Sequence, residues 1–261
     1  RLSMVTILLM IILSLVDITY GVCIFLMVRI LVPEDVRIPF ANISLNTAII
    51  MILFIMTIFN SVVKGGRIRC NKKFIGGILA FCVYCTVTLV LSEYGEFSDQ
   101  MGYFVQFLIT DITPCILAIL ILKKKKDVLL VVKSFLIACI ITASYGIVSY
   151  FLQSNPYRVL WSSTSNTASD SYWYGKFTTS TFVSTNSLGY FIGLSFPFVA
   201  FILNKKIYVK YSKIALVLLA ICSLMGKKRT TIVVLLCYGA MWFISGNTKK
   251  RLKYLAYGIP A

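Results

Sequence analysis

The chain is a succession of long apolar runs separated by short polar segments, and that pattern leaves few folds open to it. Runs at 2–28, 45–63, 74–92, 103–122, 128–152, 187–203, 211–226 and 230–245 are apolar almost throughout, and another begins near Tyr254. A helix needs about 20 mostly apolar residues to cross the hydrocarbon layer. Lipid offers no partner to backbone N–H and C=O groups, so a crossing segment satisfies them within itself as a helix, or in a closed barrel. The runs lack the dyad alternation of barrel strands. The expected fold class is all-α: a polytopic transmembrane helix bundle of at least eight spans, forming a single transmembrane domain over 1–261.

Charge indicates how such a bundle sits. Only 13% of the residues are charged against 59% hydrophobic, whereas a soluble domain carries about a quarter charged residues. Five basic residues lie in 64–73, four in 123–126, four in 205–213 and four in 249–253. The alternate segments hold Glu34 and Asp35, then Glu93, Glu96 and Asp99, then a Ser/Thr/Asn-rich stretch over 153–186. Short cytoplasmic loops collect Lys and Arg, so the N-terminus is expected in the cytoplasm and 153–186 is expected to be an outer polar loop. The formal charge of +17 is thus a topology signal. A lipid bilayer is the expected partner, and nucleic acid is not.

Several chemistries find no footing. Cys82 and Cys85 form a CxxC inside an apolar run, with no second pair and no histidine in the chain, so small apolar filler is a simpler role than redox or zinc chemistry. The missing histidine also removes the commonest acid–base side chain. No paired carboxylates, phosphate loop or metal-ligand cluster falls on the outer side. No cofactor and no metal are expected, and no catalytic base can be named.

Against this background Lys227-Lys228-Arg229 stands out, because the charge count puts it on the outer side between two apolar runs of about 16 residues. Runs of that length reach about 24 Å across a core about 30 Å thick, which would draw the triad below the headgroup plane. Gly226 before it would permit a tight turn. Phosphate binding and snorkelling to headgroups both fit the triad. The outer loop carries Trp161, Tyr172, Trp173, Tyr174 and Phe177 with Arg158 and Lys176, and membrane-interface anchoring and sugar stacking both fit its aromatics. Asp17 and Asp111 lie inside apolar runs without an evident Lys or Arg partner. A structural role is expected for each, although a proton-coupled transporter would use such residues. Pro114, three residues after Asp111, is expected to break its helix locally.

Two segments carry a family resemblance. The first is Ser180-Thr181-Phe182-Val183-Ser184-Thr185-Asn186-Ser187-Leu188-Gly189, running into an apolar helix with Pro197; the second is Leu224-Met225-Gly226-Lys227-Lys228-Arg229-Thr230-Thr231. Together they resemble the O-antigen ligase and O-antigen polymerase superfamily, whose members show a G-x-F-x-x-P-N-x-L-G-like stretch and, further on, S-R-[GST] between two helices. Asn186, Leu188, Gly189 and Arg229 match that pattern, while Ser180 replaces its Gly, Thr185 its Pro and Lys228 its small hydroxyl residue.

The resemblance implies a metal-independent membrane glycosyltransferase of the bacterial cytoplasmic membrane. Its donor would be an undecaprenyl-diphosphate-linked glycan and its other partner an acceptor glycan. Arg229, with Lys228 and Lys227 as added point charges, would hold the diphosphate leaving group. Asn186 would cap its helix, with Thr185 or Ser184 sharing the work, and the capped helix start would also favour phosphate. Lys176 and Arg158 would be further diphosphate or sugar contacts. The family's large outer loop has no counterpart here, so the chain is expected to be part of a larger protein and inactive as it stands. The competing class is a lipid-linked oligosaccharide flippase or other multi-span transporter, although no internal repeat is visible.

Overall fold

The computed structural model describes residues 2–33, 36–38, 43–63, 72–91, 97–152, 155–157, 178–182, 184–226 and 229–244. Among them the extended secondary structure is all helical, and β-pairing is confined to an isolated bridge between Arg37 and Ser44. The helices are α1 (Leu2–Val16), α2 (Ile18–Leu31), α3 (Leu45–Val63), α4 (Lys72–Val90), α5 (Phe97–Phe107), α6 (Thr113–Ile121), α7 (Lys125–Leu152), α8 (Thr185–Asn204), α9 (Val209–Gly226) and α10 (Arg229–Ile244). A five-residue π turn, Leu108–Ile112, links α5 to α6. Among the described residues, five segments are long and apolar enough to cross a membrane: Leu45–Val63, Gln100–Ile121, Lys125–Leu152, Thr185–Asn204 and Val209–Gly226. The chain is a multi-pass helical membrane protein.

Each apolar run falls on helix, but the first is not a single span. Asp17 divides it into helices of 15 and 14 residues, about 22 and 21 Å long, each short of the hydrocarbon thickness. The Asp17 carboxylate accepts the N–H of Thr19 at 2.9 Å, while its own carbonyl accepts from Tyr20 at 2.9 Å. Asp17 thereby caps the start of α2, the structural role its sequence position implied.

The packing divides into two compact units. The first comprises residues up to Arg29 and then Glu34–Phe135. Here α3 buries Leu45, Asn46, Ile49, Ile50, Leu53 and Thr57 along one stripe at helical spacing, while Phe54, Ile55, Phe59 and Val62 stay exposed, as suits a lipid-facing flank. Gly21 of α2 lies against α1 and α3; a Cβ there would overlap Ser14 Oγ and come within 2.9 Å of Leu53 Cδ1. Further along, Pro114 has no N–H for the carbonyl of Thr110 and its ring would crowd that oxygen. The backbone answers by widening its ladder: the N–H and hydroxyl of Thr113 both donate to Leu108 O, five residues back. The break expected from Pro114 is this π turn, and Asp111 sits within it. The expectation that Asp111 has no basic partner is corrected, because Arg29 Nη2 lies 3.6 Å from its Oδ1.

The second unit comprises Ile30–Pro33 and Leu136–Ala261. Helices α8, α9 and α10 pack against one another. A tight connection over 205–208, with Lys206 and Tyr208 at φ 56° and 45°, reverses the chain between α8 and α9. The buried stripe of α9 is Ser212, Ala215, Leu219, Cys222, Ser223 and Gly226, mostly small residues that let helix backbones approach closely where lipid supplies no hydrophobic drive. Helix α7 buries Cys139, Thr142, Ala143, Gly146 and Ser149 in the same unit.

Candidate functional site

The two segments that carry the family resemblance meet at one end of the second unit, where α8 begins, α9 ends and α10 begins. The hydroxyl of Thr231, in the first turn of α10, donates to the carbonyl of Gly189 in α8 at 3.3 Å, and Thr231 is fully buried. Leu188 Cδ2 lies 3.8 Å from where a Cβ on Gly226 would stand. Residues some 40 positions apart are therefore neighbours through one buried hydrogen bond and one apolar contact.

The chain reaches this end through a buried turn. Thr178, Thr179, Ser180, Thr181 and Phe182 are all buried, although they belong to what reads in sequence as an exposed outer loop. Non-helical backbone is tolerated at membrane depth when protein surrounds it and supplies its hydrogen bonds, and α7 does so. Ser149 Oγ pairs with Thr178 Oγ1 at 2.7 Å, and Ser180 Oγ donates to the carbonyl of Thr142. Asn155 Nδ2 donates to Ser180 O at 2.7 Å and to Thr179 Oγ1 at 3.2 Å, and Tyr145 donates to Asn155 Oδ1 at 2.7 Å. Thr181 Oγ1 donates to Ile30 O at 2.8 Å.

Ser180 adopts φ 52°, the left-handed region that only Gly visits without cost. This is the position where the resembled family has Gly. Here the conformation is held by a serine whose hydroxyl is anchored to α7.

Downstream of the turn the cap differs from one of its sequence readings. Ser184, not Asn186, caps α8: its Oγ accepts the N–H of Ser187 at 3.1 Å. Asn186 is left exposed in the first turn, its amide free of capping duty. Arg229 is exposed as the first residue of α10. Gly226 is the last residue of α9, buried and in helical conformation, so its small size serves packing against Leu188 rather than a left-handed turn. Lys227, Lys228, Lys176 and Arg158 lie outside the described residues, as do the loop aromatics Trp161, Tyr172, Trp173, Tyr174 and Phe177.

This end of the unit gathers features that favour an anion. The N-terminus of a helix carries about half a positive charge and N–H groups without intrahelical partners, and α8 and α10 both begin here. An exposed guanidinium adds a full charge and a planar fork suited to two phosphate oxygens. The arrangement offers binding and charge stabilisation. Among the described residues no group of His, Cys, Asp and Glu could hold a metal ion, and the seven described cysteines are free thiols.

The buried turn itself was missed in sequence, although α7 carried the signal. Thr142, Tyr145, Gly146 and Ser149 repeat at helical spacing in a mostly apolar run, a stripe that needed a polar partner. No protein-family model, no curated protein and no solved structure matches the chain.

Proposed function

We propose that this protein is a polysaccharide polymerase or ligase of the bacterial cytoplasmic membrane, transferring a glycan from undecaprenyl diphosphate to an acceptor sugar at the outer face. The observation that carries the reading is the junction of the two resemblance segments through Thr231 and Gly189, with Arg229 and Asn186 both exposed beside it. The left-handed Ser180, standing where the family has Gly, supports the same reading. In the proposed topology the N-terminus is cytoplasmic, the chain crosses at least eight times, and the start of α8 opens outward.

An acceptor hydroxyl attacks the anomeric carbon of the lipid-linked sugar. The C–O bond to the diphosphate breaks, the bonding pair leaves on the diphosphate oxygen, and the hydroxyl proton passes to water at the outer face. Arg229 and the N-termini of α8 and α10 hold that growing negative charge, and Coulomb attraction strengthens as water is excluded. Lys227 and Lys228 add point charges, and Lys176 and Arg158 make further diphosphate or sugar contacts.

The test is Arg229→Ala in the full-length protein, expressed in its native host. Surface polysaccharide chains should be lost while the protein stays in the membrane at its normal level; chains of unchanged length and amount would remove Arg229 from the mechanism. A second reading, a lipid-linked oligosaccharide flippase or other transporter, is favoured by the Arg29–Asp111 pair at a π turn, because intramembrane ion pairs at broken helices mark transport paths. It requires Asp111→Asn to block substrate movement and Arg229→Ala to leave it intact.

A further inference from the structure

We propose that a pocket of mixed polar and apolar lining in the first unit binds an uncharged sugar ring. The pocket is a cavity of about 370 Å3 walled by Arg29, Ser44, Asn46, Tyr103, Gln106 and Asp111. That volume is at the lower end of the about 300–1,000 Å3 of small-molecule sites, so it suits a small molecule rather than a chain.

Asn46 is the residue that asks for a ligand. It is 4% exposed and its Oδ1 has no hydrogen-bond partner. A buried carbonyl oxygen without a donor is unfavourable, and Asn46 is one of the residues that line the cavity. Rotation of its amide as a ligand enters would bring the oxygen to a hydroxyl donor.

The remaining walls select the class of ligand. Arg29 and Asp111 face each other at 3.6 Å and are 37% and 47% exposed. Their charges cancel, so the pocket attracts neither a lone anion nor a lone cation. A zwitterion would have to separate the pair, whereas neighbouring sugar hydroxyls bond both members at once, accepting from the guanidinium and donating to the carboxylate. Asp111 Oδ2 already accepts from Thr110 at 2.8 Å, which steadies the carboxylate for that role. Tyr103, 74% exposed at the edge, offers a ring face for the apolar side of a pyranose. By the charge count along the sequence, Arg29, Ser44 and Tyr103 all fall at the outward ends of their runs, where glycans are found.

The proposal depends on neither reading of the protein's activity, since a free sugar can bind here whether or not chain transfer or transport occurs elsewhere. It is tested by saturation-transfer difference NMR on the intact protein in nanodiscs. The probes are glucose, galactose, mannose, rhamnose and N-acetylglucosamine at millimolar concentration, with L-alanine as the zwitterion. Transfer to the ring protons of at least one sugar is expected, with affinity about tenfold weaker in Asn46→Leu and in Tyr103→Ala. Asn46→Leu removes an unpartnered buried amide and Tyr103 is exposed, so both variants should fold. The idea is overturned if none of the five sugars receives saturation, if both variants bind as the parent does, or if L-alanine alone responds.

Discussion

Gly146→Ala should destabilise this protein, against the usual sense of that substitution in a helix. Gly146 lies in the interior of α7, where Ala is favoured over Gly by about 1 kcal/mol. A Cβ built there stands 2.6 Å from Cys222 Sγ and 3.2 Å from Ser180 Cβ. Ordinary carbon contacts begin at about 3.5 Å, so the first contact is too short by nearly 1 Å. Neither neighbour can yield easily: Cys222 and Ser180 are both fully buried, and Ser180 is held in a left-handed turn by its bond to Thr142. Overpacking of this kind costs about 1–3 kcal/mol, and two closed contacts place it in the upper half of that range. Subtracting the propensity gain leaves a net loss of about 1–2 kcal/mol, or roughly 2–8 °C in Tm for a chain of this size.

Thermal unfolding in nanodiscs, followed by intrinsic fluorescence, measures that loss, and a double-mutant cycle assigns it. Cys222→Ala removes the nearer obstacle, so the double variant should recover about 1 kcal/mol relative to the sum of the single changes. Gly77→Ala, in α4 with nothing within 4 Å of its Cβ, should be neutral or stabilising by up to about 1 kcal/mol. A Gly146→Ala protein that melts with the parent, or a cycle with no coupling, would refute the close approach of α7, α9 and the buried turn.

Other outcomes follow from the same geometry, each readable in the same unfolding assay. Ser180→Ala keeps the left-handed φ and loses the bond to Thr142, and should cost about 1–2 kcal/mol; Ser180→Gly relieves the backbone and should lie near the parent. Thr231→Val removes the bond to Gly189 and should cost about 1 kcal/mol. Asp17→Ala should cost about 1 kcal/mol by uncapping α2, while Asp17→Asn should be nearly silent.

How much of this was legible in the sequence depended on the scale of the signal. The eight apolar runs announced helix because each is long, and helix lies on all of them. The π turn before Pro114 was visible as a single residue that conflicts with a continuous helix, whereas the run over 2–28 read as one span and its division at Asp17 emerges only in the structure. The buried turn over 178–182 was not legible. Hydroxyl-rich sequence reads as solvated loop by composition alone, and its burial depends on the facing polar stripe of α7, which is a tertiary fact. The Arg29–Asp111 pair was hidden for the same reason, since the partners are more than 80 positions apart. At the candidate site the resemblance segments pointed to Arg229 and Asn186, and the fold supplies what sequence lacked, the bond between Thr231 and Gly189 that brings the two segments together.

The most direct test of the central proposal is release of undecaprenyl diphosphate by the full-length native protein, purified in nanodiscs, given a lipid-linked oligosaccharide donor and its acceptor glycan, and followed by mass spectrometry. Release with matching growth of the acceptor is expected, with a loss of about 10²–10³-fold in rate for Arg229→Ala in a protein that melts with the parent. No release by the parent protein, or equal rates from the parent and Arg229→Ala, would contradict it.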